Sequence, residues 1–304
     1  MEYVLQTDNL KKQYGKSQVL NGLTMNIPKG AVYGFVGKNG AGKTTLIRLI
    51  CGLQKPTDGS FSLFGVHNDC DGIVASLRRM AAIVETPAIY MNMTAEDNLK
   101  QQYIIRGLPS YNGISELLKL VGLENTGGKK VKRFSLGMKQ RLGIAIALVG
   151  NPEFVVLDEP INGLDPQGII EIREMILKLN KEKQITFLIS SHILNELSRL
   201  ATHYGIIDKG CMVKEFSAEE LETACRKYMR IEVSDTAVLA NVLDNMKIEY
   251  KVISKTLADI FAKLNITQLT MALAKENCEV LSINENGESL ENYFISLVGG
   301  KSCD

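Results

Sequence analysis

The chain has 304 residues, with 35 basic and 34 acidic side chains and a formal net charge of +1. That balance supplies no bulk electrostatic attraction for nucleic acid, and no such partner is expected. Its six cysteines, Cys51, Cys70, Cys211, Cys225, Cys278 and Cys303, show no C-x-x-C spacing and read as reduced thiols of a cytosolic protein, neither zinc site nor disulfide framework.

Met1 to Leu5 runs into polar residues, unlike a signal peptide. Apolar runs such as 144–149 fall far short of the ~20 residues that span a bilayer. The length leaves room for one large domain and a smaller one. Val4 and Leu5, then Val19 to Met25, read as strands broken by Gly15 and Gly22. The apolar run Val32 to Val36 leads into GKNGAGKTT, and a helix-compatible run from Thr45 to Leu53 follows. Gly37, Gly42, Lys43 and Thr44 match G-x-x-x-x-G-K-T, and the strand–loop–helix context turns that match into a phosphate cradle. Backbone N–H groups across Gly37, Lys38, Asn39, Gly40, Ala41, Gly42, Lys43, Thr44 and Thr45 can close around phosphate oxygens, aided by the helix N-terminus. Lys43 would neutralise the β- and γ-phosphates, and the Thr44 hydroxyl would ligate magnesium.

Short strands are expected at 60–64 and 80–84. The pattern turns helical from about 86 to 150, with apolar spacing over Asn98 to Arg106 and Ile114 to Val121, and Thr94 standing as an N-cap before Asp97. Phe154 to Leu157 and Ile185 to Ile189 read as buried parallel strands joined by a helix over about 167–180. The alternation predicts an α/β core with a helical insert, spanning 1–216. FVVLDEP brings two carboxylates to the carboxyl end of a strand, where α/β sheets hold ligands. Asp158 there would hold the magnesium shell, and Glu159 would polarise the attacking water as general base.

Beyond 216 the pattern predicts a small α+β domain, 217–304, of ferredoxin-like βαββαβ order. Its strands would be Arg230 to Val233, the alternating Ile248, Tyr250 and Val252, and Glu279 to Ile283. One helix carries Val238, Leu239, Val242, Leu243 and Met246, a second carries Leu269 and Leu273, and Leu290 to Val298 closes the chain. Leu257, Ile260, Phe261 and Leu264 suit a helix as well as a strand.

GKNGAGKTT, FSLGMKQR, FVVLDEP, GLDP and SSH, in that order, resemble the ATP-binding subunit of an ABC transporter over residues 1–215. The resemblance implies a P-loop ATPase with an antiparallel β subdomain and a helical subdomain. It also implies ATP and Mg2+ as ligands, a homodimer, integral membrane permease subunits as partners, and a peripheral place on the inner face of the plasma membrane. FSLGMKQ resembles the signature, keeping Ser135 and Gly137, departing at Leu136 and Met138, and continuing to Gln140. Its helix N-terminus would face the γ-phosphate bound by the other subunit. Asp165, in Gly163 to Pro166, resembles the loop between the two composite sites, His192 the switch histidine, and Tyr14 the aromatic that stacks on adenine.

One departure narrows the family. Glu85 stands where a magnesium-ligating glutamine is usual; a carboxylate ligates more strongly but repels γ-phosphate oxygens. ETPAIY with SLGMKQRLGIA is similar to exporters of bacitracin and lantibiotics, where this glutamate is typical. The function implied is an ATPase powering efflux or membrane extraction of peptide antibiotics, for immunity or resistance. An ABC-2-type drug, lipid or ion exporter remains open. So does a soluble non-transport ABC ATPase, although that reading expects fused cassettes, a long coiled-coil insert or a basic surface.

Overall fold

The computed structural model describes residues 2–225, 228–262, 265–286 and 290–299. The chain opens with β1 (Tyr3–Tyr14), β2 (Ser17–Pro28) and β3 (Val32–Val36), then α1 (Lys43–Ile50), β4 (Asp58–Leu63), β5 (Val66–His67), α2 (Ile73–Arg78) and β6 (Met80–Ile83). The helical insert holds α3 (Ala95–Ile105), α4 (Ile114–Leu120) and α5 (Leu136–Leu148). The core then resumes with β7 (Phe154–Asp158), α6 (Pro166–Lys183), β8 (Thr186–Ser191), α7 (Leu194–Leu197), β9 (His203–Asp208) and β10 (Cys211–Ser217).

Two sheets sandwich α1. One is antiparallel in the order β2-β1-β4-β5; the other runs β10-β9-β3-β8-β7-β6, parallel except for β10. Every residue of β3, β7 and β8 is buried, as their apolar stretches Phe154–Leu157 and Phe187–Ile189 require of strands covered on both faces. Leu46, Ile47, Leu49 and Ile50 of α1 join one core with Leu20, Leu23, Met25 and Ile27 of β2 and Phe154 and Val156 of β7. Each such side chain contributes about 1.5–3 kcal/mol of burial, so α1 is held by packing and not by its length of eight residues. Register then sets the site. Val36 pairs with Ser191, and Asp158 with Ser190, so the carboxyl ends of β3, β7 and β8 finish level.

Gly22 does not break β2. It takes φ +74 opposite Asn9, where a β-carbon would stand 2.6 Å from Asn9 Oδ1, and the ladder absorbs the irregularity as a register shift between Thr7 and Leu10. α3 starts three residues before Asn98 because Thr94 and Asp97 form a reciprocal capping box. The insert is three α-helices with two short 3-10 turns, Glu124–Thr126 and Val131–Arg133, between the second and third, and no single continuous helix fills 86–150. Among the described residues no helix is long and apolar enough to cross a membrane.

Residues up to Ala218 make one compact unit and Glu219–Ser296 a second. The second contains α8 (Ala218–Ala224) from its second residue, β11 (Tyr228–Val233), α9 (Thr236–Asn245), β12 (Tyr250–Val252), β13 (Leu257–Ile260), α10 (Ile266–Lys275) and β14 (Val280–Asn286), followed by the start of α11 (Leu290–Gly299). Its antiparallel sheet runs β12-β13-β11-β14, the ferredoxin-like order. Met229, Ile231 and Val233 alternate inward onto Leu239, Leu243, Leu269 and Leu273. The segment that suited either helix or strand is a strand from Leu257 to Ile260, because it pairs with β11 on one side and β12 on the other; Leu264 lies outside the described residues.

Candidate functional site

β3 delivers the glycine-rich loop to the head of α1. The Gly37 amide donates to the Ser191 carbonyl at 3.2 Å, tying the loop to β8. A β-carbon on Gly37 would stand 2.6 Å from both the Ile207 side chain and its carbonyl oxygen, so only glycine fits. Gly42 caps α1 at φ +109, a conformation that L side chains rarely adopt. The cap supplies no side-chain hydrogen bond, and the first turn holds no acidic residue. The leading amides of α1 are therefore available to an anion, and the helix dipole favours one there.

Lys43 is 6% exposed. Its ammonium donates to the Gly37 carbonyl at 2.6 Å and stands 3.2 Å from Glu159 Oε1. The other Glu159 oxygen lies 2.8 Å from His192 Nδ1. Glu159 adopts φ +49, a strained conformation for a residue with a side chain, and its amide donates to Ser190 Oγ at 2.8 Å. Ser190 in turn donates to Asp158 Oδ1 at 2.6 Å, while Thr44 Oγ1 donates to Asp158 Oδ2 at 2.8 Å. One network, buried at Lys43, Asp158 and Ser190 and partly exposed at Glu159 and His192, thus joins the phosphate loop, both carboxylates and the histidine. Such a set can neutralise phosphate oxygens with Lys43, offer oxygen ligands from Thr44 and Asp158, and take a proton at Glu159.

Ser190 is part of this network and Glu196 stands beside it, although sequence reasoning singled out neither. Ser190 had a signal, being the first residue of the SSH string. Glu196, on α7 and near Ser191, has a carboxyl raised above its ordinary value by burial first, with Glu159 adding to the effect and His192 opposing it. Cys51, at the end of α1, is pushed up to about 12 by burial and then by the charge of Asp158, so it stays a protonated thiol.

The signature residues start α5. Ser135 is its N-cap and accepts from the Met138 amide at 3.2 Å. Asp165 caps α6 in the same way, accepting from Gly168 at 3.1 Å. The two segments touch within one chain: a β-carbon on Gly163 would meet Leu136 at 3.4 Å, and one on Gly137 would meet Leu164 at 3.8 Å. Leu136 is exposed and Gln140 buried, and both border a cavity of about 530 Å3 shared with Thr44, Glu85, Asp158 and Glu159.

Two residues sit differently from their sequence expectation. Glu85 reaches the cavity wall with φ +64, but its carboxylate is taken by Arg48 at 2.5 Å and does not join Thr44 and Asp158. Arg48 lies 37 residues away in sequence, so no local pattern could pair them. Tyr14 ends β1 with its hydroxyl on Gln54 and the Lys12 ammonium 5.2 Å from its ring centroid, so part of its ring face already has a cation partner. Among the described residues no group of three or more His, Cys, Asp or Glu could hold a metal.

A phosphate loop between β3 and α1, with paired carboxylates at the end of a neighbouring strand, defines a P-loop nucleoside triphosphatase. The ABC transporter family pattern matches residues 20–162. The chain is 40% identical to the bacitracin transport ATP-binding protein BcrA of Enterococcus faecalis, over 99% of this chain and 98% of that one. It is 46% identical to the lantibiotic transport ATP-binding protein SrtF of Streptococcus pyogenes, over 71% of this chain and 93% of that one. A solved dimer of the ATP-binding cassette MJ0796, bound to ADP and Pi, matches at 25% identity and TM-score 0.63, over 70% of this chain and 98% of that one. The chain belongs to the ATP-binding subunits of ABC transporters. It binds ATP and hydrolyses it in the service of transport. Cassettes of this kind form dimers and work with membrane subunits.

Proposed function

We infer that this ATPase powers export, or extraction from the membrane, of peptide antibiotics of the bacitracin or lantibiotic type, protecting the cell that makes it. The observation that carries this reading is the match to a bacitracin transport protein along 99% of the chain, small domain included. The protein works as a homodimer at the inner face of the plasma membrane, held there by permease subunits that choose the substrate.

Its residues divide the work by charge. Lys43 and the amides from Lys38 to Thr45 hold the β- and γ-phosphates, and Tyr14 stacks on adenine once its ring face is cleared. The Thr44 hydroxyl and the Asp158 carboxylate suit Mg2+, which takes one or two protein oxygens and completes its shell from phosphates and water. When bound, the ion draws negative charge from the phosphate oxygens. Glu159 then accepts the proton of the attacking water, and His192, 2.8 Å from one Glu159 oxygen, keeps that carboxylate aimed. Ser135 satisfies the Met138 amide, which leaves the Leu136 and Gly137 amides without a helical acceptor and free to meet the γ-phosphate of the second subunit. Asp165, next to this helix start, links the two sites.

The test is protection in a sensitive host that expresses the chain with its membrane partners. The wild type should raise bacitracin or lantibiotic tolerance, and Lys43→Ala should abolish it while remaining folded. Equal tolerance with Lys43→Ala would refute the reading of the site. No tolerance to either class from an active wild type would refute the substrate class.

A further inference from the structure

We propose that Arg48 is a positioning residue that holds and neutralises Glu85 beside the γ-phosphate, so that a carboxylate is tolerated at the wall of the nucleotide site. The inference rests on the phosphate-site assignment above. Its first support is geometric. Arg48 is four residues after Thr44 on α1, one turn along the same helical face as the hydroxyl that bonds Asp158. From there its guanidinium donates to Glu85 Oε1 at 2.5 Å.

The second support is charge. The cavity is bordered by three carboxylates, Glu85, Asp158 and Glu159, against one lining cation, Lys139. Lys43 already answers Glu159 from below, and the Thr44 and Ser190 hydroxyls answer Asp158. Arg48 is the cation paired with Glu85. The third is backbone strain. Glu85 takes φ +64, a region that asparagine and glycine enter more readily, so this side chain is presented at a conformational cost. Its side chain is 61% exposed and that of Arg48 37%, and ion pairs so exposed add little to folding stability. The pair is therefore better understood as electrostatic tuning of the site than as a brace.

The role predicts a split in the kinetics. An unpaired carboxylate repels the bound triphosphate equally in the ground and transition states, so KM should change and kcat should not. The experiment measures equilibrium ATP binding and steady-state hydrolysis for full-length wild type, Arg48→Gln, Glu85→Gln and the double variant at low ionic strength. Arg48→Gln should weaken ATP binding about three- to tenfold, or about 0.7–1.4 kcal/mol, with kcat within about twofold. Adding Arg48→Gln to Glu85→Gln should cost less than about 1.5-fold, because the charge to be neutralised is gone. Arg48→Lys should keep most of the affinity, and raising salt should shrink the Arg48→Gln effect.

Unchanged affinity in Arg48→Gln would overturn the proposal. An equal loss in the wild-type and Glu85→Gln backgrounds would also overturn it, since Arg48 would then act on the nucleotide directly or through folding. Lys43→Ala is measured alongside. Normal ATP binding by that variant would refute the phosphate-site assignment itself, separately from any result at Arg48.

Discussion

Replacing Ser190 with alanine tests whether the site is held by a buried hydroxyl. Ser190 is fully buried and makes two hydrogen bonds at once, donating to Asp158 at 2.6 Å and accepting from the Glu159 amide at 2.8 Å. A bond to a charged partner is worth about 1.5–3 kcal/mol and a neutral one about 0.5–1.5 kcal/mol, so Ser190→Ala should destabilise the ATPase unit by about 2–4 kcal/mol. Alanine leaves the Glu159 amide unpaired where Glu159 already carries a left-handed backbone. Urea unfolding followed by circular dichroism reads the change; with a slope of about 2–3 kcal/mol/M, the midpoint should fall by about 1 M. The rate of hydrolysis should fall by about tenfold or more, because the two carboxylates lose the group that fixes their relative position. A midpoint within about 0.2 M of wild type would refute the reasoning, since a fully buried pair of hydrogen bonds cannot vanish at no cost.

Glu159→Gln keeps the shape of the base but cannot take the proton, so it should trap a dimer holding two ATP molecules; a monomer in sedimentation at saturating ATP and magnesium would contradict the composite site. Thr94→Ala removes the cap of α3 and should cost about 1 kcal/mol in thermal or urea unfolding. Hydrogen bonds from the Thr94 hydroxyl and then its amide hold the Asp97 carboxyl below its ordinary 3.8, so the stabilisation is full above that value and lost as pH falls through the lower folded one. The gap between wild type and Thr94→Ala should therefore narrow as acid protonates Asp97 and weakens the bond it accepts from the Thr94 hydroxyl, without closing, because the Asp97 amide still donates to that hydroxyl; a gap that stays constant down to pH 2 would contradict the coupling. Cys51, held up to about 12, should resist alkylation at pH 8 until the protein unfolds, while the exposed Cys70 reacts; equal labelling rates would show that the site of Cys51 is open.

The phosphate loop, the cap at Thr94 and the buried strands β7 and β8 were all legible along the chain. Each depends on residues within a few positions of one another: a glycine whose backbone must turn, a short side chain that reaches its own helix, an apolar run that needs cover on both faces. Within the small domain the strand at 230–233 and the apolar faces of α9 and α10 were legible in the same way. Tertiary structure alone decided the rest. It made 257–260 a strand, because β11 and β12 offered it two ladders where its apolar spacing had offered no preference. It carried β2 through Gly22, because a facing register shift made room. It placed Ser190 between Asp158 and the Glu159 amide, 32 and 31 residues away in sequence, and it gave Glu85 to Arg48 across 37. Charge and hydrogen bonding act through space, and only the level ends of β3, β7 and β8 bring those groups within their reach.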